Sequence, residues 1–147
     1  MKKQQGFSLI ELLIVVAIIL IIAAIAIPNL LRSKMAANEA SAVGSLRTIN
    51  TAEQTYSTTY GTGFTDLAIL GTSGLLDDVL AAGTKSGYTF ASTATGGTGT
   101  SASPYTTYAS TGSPLNSSSG TRSFCSDQTG VIRYAIATCD SSSSPLQ

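Results

Sequence analysis

The chain has 147 residues, enough for one domain with a modest core, and its 8 Lys and Arg balance its 8 Asp and Glu. That balance leaves no basic field to grip DNA or RNA through counterion release, so no nucleic-acid partner is expected. With no His and only two Cys the chain lacks a zinc or iron ligand set, and neither a metal nor any other cofactor is expected; its low share of charged residues, 11%, and its 41 Ser and Thr suit a solvated, exported surface better than a cytosolic enzyme.

Residues 1–6 are polar and carry Lys2 and Lys3, whereas Phe7 to Ile27 is apolar apart from Glu11. Twenty-one residues at a helical rise span about 32 Å, the thickness of the hydrocarbon core of a bilayer. Lys2 and Lys3 on one flank face Arg32 and Lys34 on the other, so charge bias barely sets the orientation. A secretory signal peptide is the rival reading, because Ala24-Ile25-Ala26 mimics a small-residue cleavage site. Against it stand the length of the apolar run and the carboxylate near its start, for which a signal peptide has no use. A Glu in hydrocarbon costs on the order of 3 kcal/mol unless it finds a partner, which marks Glu11 as a candidate functional residue.

Beyond Pro28 the pattern becomes amphipathic. Met35, Val43, Leu46, Ile49, Ala52, Tyr56 and Tyr60 recur at helical spacings, with Asn38, Arg47 and Glu53 between them. Pro28 lacks a backbone donor and crowds the carbonyl four residues back, so the helix is expected to kink or loosen there and then continue. Tyr60-Gly61-Thr62-Gly63 supplies a stop. One interrupted helix of roughly 80 Å results, with a membrane-spanning half over 7–28 and an amphipathic half over 29–59.

The remainder, 60–147, reads as a β-rich globular head. Two apolar patches, Leu67 to Leu70 and Leu75 to Ala82, predict a loop with a short helix near Asp77. Tyr88 to Ala91 alternates, Tyr105 to Tyr108 is a pairing candidate and Val131 to Ala137 is nearly alternating, which predicts an antiparallel sheet of three or four strands. Residues 84–123 hold 20 Ser or Thr among 40, with Gly96-Gly97 and Gly99, and much of that stretch is expected to be surface loop.

Gly6-Phe7-Ser8-Leu9-Ile10-Glu11-Leu12-Leu13-Ile14-Val15-Val16-Ala17-Ile18 resembles the signature of type IV prepilins and type II secretion pseudopilins. The resemblance covers about the first 30 residues. It implies an α+β pilin fold, a long N-terminal helix packed on a small antiparallel sheet. It also implies that 1–6 is a leader, that a prepilin peptidase cuts between Gly6 and Phe7 and methylates the Phe7 amine, and that Glu11 and Pro28 serve assembly. The implied partners are further copies of the chain, the peptidase, a pilus assembly platform and the inner membrane. The implied course runs from single-pass precursor to extracellular filament.

Cys125 and Cys139 carry two readings. An even pair in an exported chain favours a disulfide, and the resembled family often closes its C-terminal region with one. A hairpin turn at Asp127-Gln128-Thr129-Gly130 would instead leave Cys139 roughly 23 Å from Cys125 at strand rise, well beyond bridging reach. Either the segment before Cys125 is not the partner strand, or the thiols are free; the even count and exported setting favour a Cys125–Cys139 disulfide.

A filament subunit is the function these residues favour. The alternative is a pseudopilin of a secretion or DNA-uptake machine, whose major type resembles calcium-binding heads without a disulfide. Asp127 and Asp140 are too few for such an oxygen cage. No nucleophile elbow, phosphate-binding loop or facing carboxylate pair points to an enzyme, and none is expected.

Overall fold

The computed structural model describes residues 6–146, and the expected leader lies outside them except for Gly6. The chain divides into two compact units, one ending at Lys34 and the other running from Met35. Helix α1, Leu9–Tyr60, is continuous through Pro28. Proline therefore removes one donor without ending the helix. The stop falls where expected, at Gly61 with φ 68°.

Two short helices follow, α2 at Leu67–Thr72 and α3 at Asp78–Ala81. The expected helix near Asp77 is α3, whose first turn is capped by the Asp77 carboxylate accepting from the Leu80 N–H at 2.9 Å. The sheet then forms in strict sequence order from β1 (Thr84–Lys85), β2 (Tyr88–Thr95), β3 (Thr107–Pro114), β4 (Ser123–Asp127), β5 (Arg133–Ala135) and β6 (Ser144–Pro145), all neighbours antiparallel. Ser86 and Gly87, both at positive φ, make the two-residue turn between β1 and β2.

Several expectations are corrected. Among the described residues the sheet has six strands rather than three or four, and residues 84–123, much of which is expected to be surface loop, contain its two longest strands. Alternation explains this: Tyr88, Phe90, Ser92 and Ala94 point inward while the intervening Thr and Ala point out, and Thr is well suited to a strand. Tyr105 does not enter β3 but forms a backbone bridge to Gly63, and only Arg133–Ala135 of the expected Val131–Ala137 strand is paired.

The core lies between the second half of α1 and the inner face of the sheet. Ala42, Val43, Leu46, Ile49 and Ala52 pack with Leu70, Leu80, Tyr88, Phe90 and Phe124. Gly112 permits this packing, because a Cβ there would press on the Phe90 ring. Glu53, expected on the polar side of the helix, is fully buried. Its neighbours across the interface are polar, so the apolar stripe is interrupted at that level.

Candidate processing and assembly site

Gly6, Phe7 and Ser8 precede the first helical turn, and Phe7 is 84% exposed. Ser8 is the capping residue: its hydroxyl accepts from the Ile10 N–H at 3.4 Å, while the Glu11 carboxylate reaches back to accept from the Ser8 N–H at 2.9 Å. This is a reciprocal capping box, two orphan donors satisfied by Ser and Glu three residues apart. A negative charge in the first turn also suits the helix dipole. Ser8-Leu9-Ile10-Glu11 carries the motif in its sequence, so this role was legible there and was missed.

From Leu9 to Leu31 the large apolar side chains are between 46% and 78% exposed. Fully burying one such side chain is worth about 1.5–3 kcal/mol, so together they represent tens of kcal/mol available to a bilayer or to other copies of the helix. Glu11 is the only charged residue in this run. Pro28 stands close behind Ala23, Ala24 and Ala26, whose methyl groups offer little packing to brace the helix.

In the head, two carboxylates tie α1 to other elements. Glu39 Oε1 accepts from the Thr121 N–H at 2.9 Å, and Glu39 Oε2 accepts from the Arg122 Nε at 2.8 Å with Arg122 Nη2 2.7 Å from the same oxygen. Burial pushes the Glu39 carboxyl up, but the Thr121 and Arg122 donors outweigh it and hold the group below its ordinary value. Arg122 in turn lies over the Phe124 and Tyr134 rings, 5.5 Å from each centroid. Among the described residues no cation pairs with Glu53. It accepts from the Thr65 N–H and the Ser92 hydroxyl, and burial pushes its carboxyl up despite both bonds.

Cys125 and Cys139 are joined, with Cα atoms 5.6 Å apart. The favoured disulfide is present, and the strand geometry that argued against it does not hold. The hairpin exists, with Cys125 opposite Arg133, and the thiols are nevertheless bridged. Strand β5 ends at Ala135, and the chain turns back toward β4 instead of running on at strand rise.

A long apolar N-terminal helix, packed through its second half on a six-stranded antiparallel sheet, is a pilin-like α+β architecture. Residues 1–27 match the family model described as the prokaryotic N-terminal methylation motif. The chain is 59% identical over 39 residues to the type IV wide pilus major component PilA4 of Thermus thermophilus, a match covering 26% of this chain and 30% of that one. It is 44% identical over 54 residues to the type IV major pilin protein PilA of Myxococcus xanthus, covering 37% and 24% respectively. The chain thus spans less than a third of either relative's length. No solved structure matches.

Proposed function

We propose that this chain is the major structural subunit of a type IV pilus, without catalytic activity of its own. It is made as a single-pass inner-membrane precursor and cut between Gly6 and Phe7 by a prepilin peptidase that also methylates the Phe7 amine. An assembly platform then polymerises it through α1 into an extracellular filament. The observation that carries this reading is the exposed apolar helix with one carboxylate in its first turn, directly after the Gly6-Phe7 pair.

Cleavage would leave an ammonium at Phe7, within a few ångströms' reach of a helix start that already holds Glu11. In an apolar filament core each charge alone is costly, whereas a Glu11 carboxylate facing the Phe7 ammonium of a neighbouring copy neutralises both and fixes axial register. Near Pro28 the helix loosens on packing, which lets subunits lengthen along the filament.

Intact mass and N-terminal sequencing of cell-surface material test the processing. The expected start is methylated Phe7, and a start after Ala26 would restore the signal-peptide reading. Electron microscopy of Glu11→Gln tests assembly. Gln can still close the capping box but carries no charge, so cleavage persists and filaments are lost. Normal filament yield in that variant refutes a charge-based assembly role.

A further inference from the structure

A cavity of about 270 Å³ opens on the outer face of the sheet. Register places Thr111, Cys125 and Arg133 side by side on β3, β4 and β5, on the side away from the core residue Phe124. The chain after β5 turns back over this face and is pinned there by the Cys125–Cys139 bridge. Ala109, Thr111 and the two cysteines give the cavity apolar walls, and Asp127 and Asp140 bring carboxylates to it. It is smaller than the roughly 300–1,000 Å³ of a pocket for a drug-sized molecule, and of the right order for one long side chain.

Its carboxylates are only half engaged. Asp127 Oδ1 accepts from the Thr129 N–H and hydroxyl, and Asp140 Oδ1 from Ser142 and Ser143, whereas the second oxygen of each has no hydrogen-bond partner among the described residues. The Ser142 donors hold the Asp140 carboxyl below its ordinary value, so it is charged at neutral pH. Arg133 also lines the cavity, but its Nη1 donates to the Ser143 carbonyl at 3.2 Å, and among the described residues it forms no ion pair with either carboxylate. Two anions and one cation leave the cavity negative. Apolar walls beside free carboxylates suit an aliphatic stem that ends in a cation, the form of a Lys or Arg side chain.

The chain itself carries such a side chain. The compact unit that begins at Met35 has four cations. Lys85 is paired with Asp77, Arg122 with Glu39, and Arg133 lines the cavity. Arg47 is left, exposed on α1 and without an ion pair among the described residues. Val43, Leu46 and Ile49 pack against the inner face of the sheet, so Arg47 stands in the helix layer and the cavity on the far side of the sheet. The two cannot meet within one copy. Between copies they can, and because the giving and receiving surfaces differ, the contact is heterologous: each copy gives one Arg47 and receives another, which propagates as an open array instead of closing in a dimer.

We propose that the cavity receives the Arg47 side chain of a second copy, with its guanidinium set between Asp127 and Asp140. This rests on the filament reading above and names a contact within the filament. An Arg anchored in a pocket is the kind of side chain that dominates an interface, and repetition along an array multiplies its effect.

Charge exchange tests the contact by electron microscopy. Arg47→Glu lowers filament yield about tenfold or more, and so does Asp127→Asn with Asp140→Asn, which keeps the acceptor of each turn and removes the charge. Arg47→Glu combined with Asp127→Lys and Asp140→Asn restores filaments. Asp78→Lys, which reverses an exposed carboxylate outside the cavity, leaves the yield unchanged. Normal yield from Arg47→Glu overturns the proposal, as does a combined variant that unfolds at the wild-type temperature and still makes no filaments.

A second measurement does not depend on reversed charges being tolerated. Full-length Arg47→Lys chains, half of them isotopically heavy, are reconstituted at high density in phosphatidylcholine vesicles. A carbodiimide then joins amine to carboxylate as an amide, taking up the water that is lost. The expected product links position 47 of one isotope to Asp127 or Asp140 of the other. Links within one isotope alone, or none to these two carboxylates, overturn the proposal whether or not filaments form. The mixed link in a chain that makes no filaments upholds the contact and overturns the filament reading instead.

Discussion

The Glu53 carboxylate on α1 accepts a 2.7 Å hydrogen bond from the Ser92 hydroxyl on β2, at a level of the helix–sheet interface where neither residue meets solvent. Its second oxygen accepts from the Thr65 N–H at 3.0 Å. The nearby groups that bear on its charge are acidic: Asp66 raises the Glu53 carboxyl further, and Glu53 in turn helps to raise the Tyr108 phenol.

Glu53 should make the head less stable as pH rises. Its carboxyl sits above the ordinary value of 4.5, so between that value and the raised one the unfolded chain gives up a proton that the folded chain keeps. The contribution is fully present below 4.5 and is lost as pH climbs through the folded value. Thermal unfolding of the full chain in detergent between about pH 4 and 8 reads this slope. Glu53→Gln flattens it and leaves the neutral-pH stability equal or higher, while Glu53→Ala costs about 2–4 kcal/mol by stranding the Thr65 N–H and opening a void.

Glu39 acts with the opposite sign. Its carboxyl is held below 4.5, so its contribution is present above that value and disappears as pH falls through the depressed folded value. Arg122 is 40% exposed, and solvent screening reduces what the ion pair adds. Glu39→Ala is expected to cost about 1–3 kcal/mol, chiefly through the unpaired Thr121 and Arg122 donors. Arg122→Lys should lose part of that, since an ammonium cannot reproduce the planar contact with Phe124 and Tyr134. Chemical denaturation at neutral and acidic pH separates the two carboxylates.

Gly63 should tolerate no side chain. It has φ 81°, and its neighbours make backbone bonds to Tyr105, from the Phe64 N–H at 3.2 Å and to Thr62 at 3.0 Å. A Cβ on Gly63 would collide with the Tyr105 backbone. Gly61 also has positive φ, but a Cβ there meets open space. Gly61→Ala therefore costs about 1–2 kcal/mol in left-handed strain alone, and Gly63→Ala clearly more. Equal midpoints for the two variants would contradict the bridge.

Reduction of the Cys125–Cys139 bridge should loosen the end of the sheet. The bridge closes a loop of sequence separation 14, worth about 3 kcal/mol in the chain-entropy model. The loss should fall on β4, β5 and the C-terminal segment, where Leu146 donates to the Ile132 carbonyl, and should spare α1 before Lys34. Hydrogen exchange before and after reduction resolves the two regions, and two alkylatable thiols in native material would remove the prediction.

Elements whose signals are local can be read directly from the residues. An apolar run long enough for a bilayer, helical spacing from Val43 to Ala52, the stop at Gly61 and the cap at Asp77 each depend on residues within a few turns of one another. So does the capping box of Ser8 and Glu11. What Glu53 does depends on long-range packing, because its helical position resembles a solvent-facing one until Ser92 and Thr65, distant along the chain, are brought against it. The full extent of strands β2 and β3, beyond Ala91 and Tyr108, was hidden for a related reason. Ser, Thr and Ala in alternation suit a loop or a strand equally well, and the choice is made by cross-strand partners such as Ser92 and Ser110 and by the helix that covers one face. The disulfide was open at the level of sequence because bridging distance depends on where a strand ends, and that end is set by the sheet.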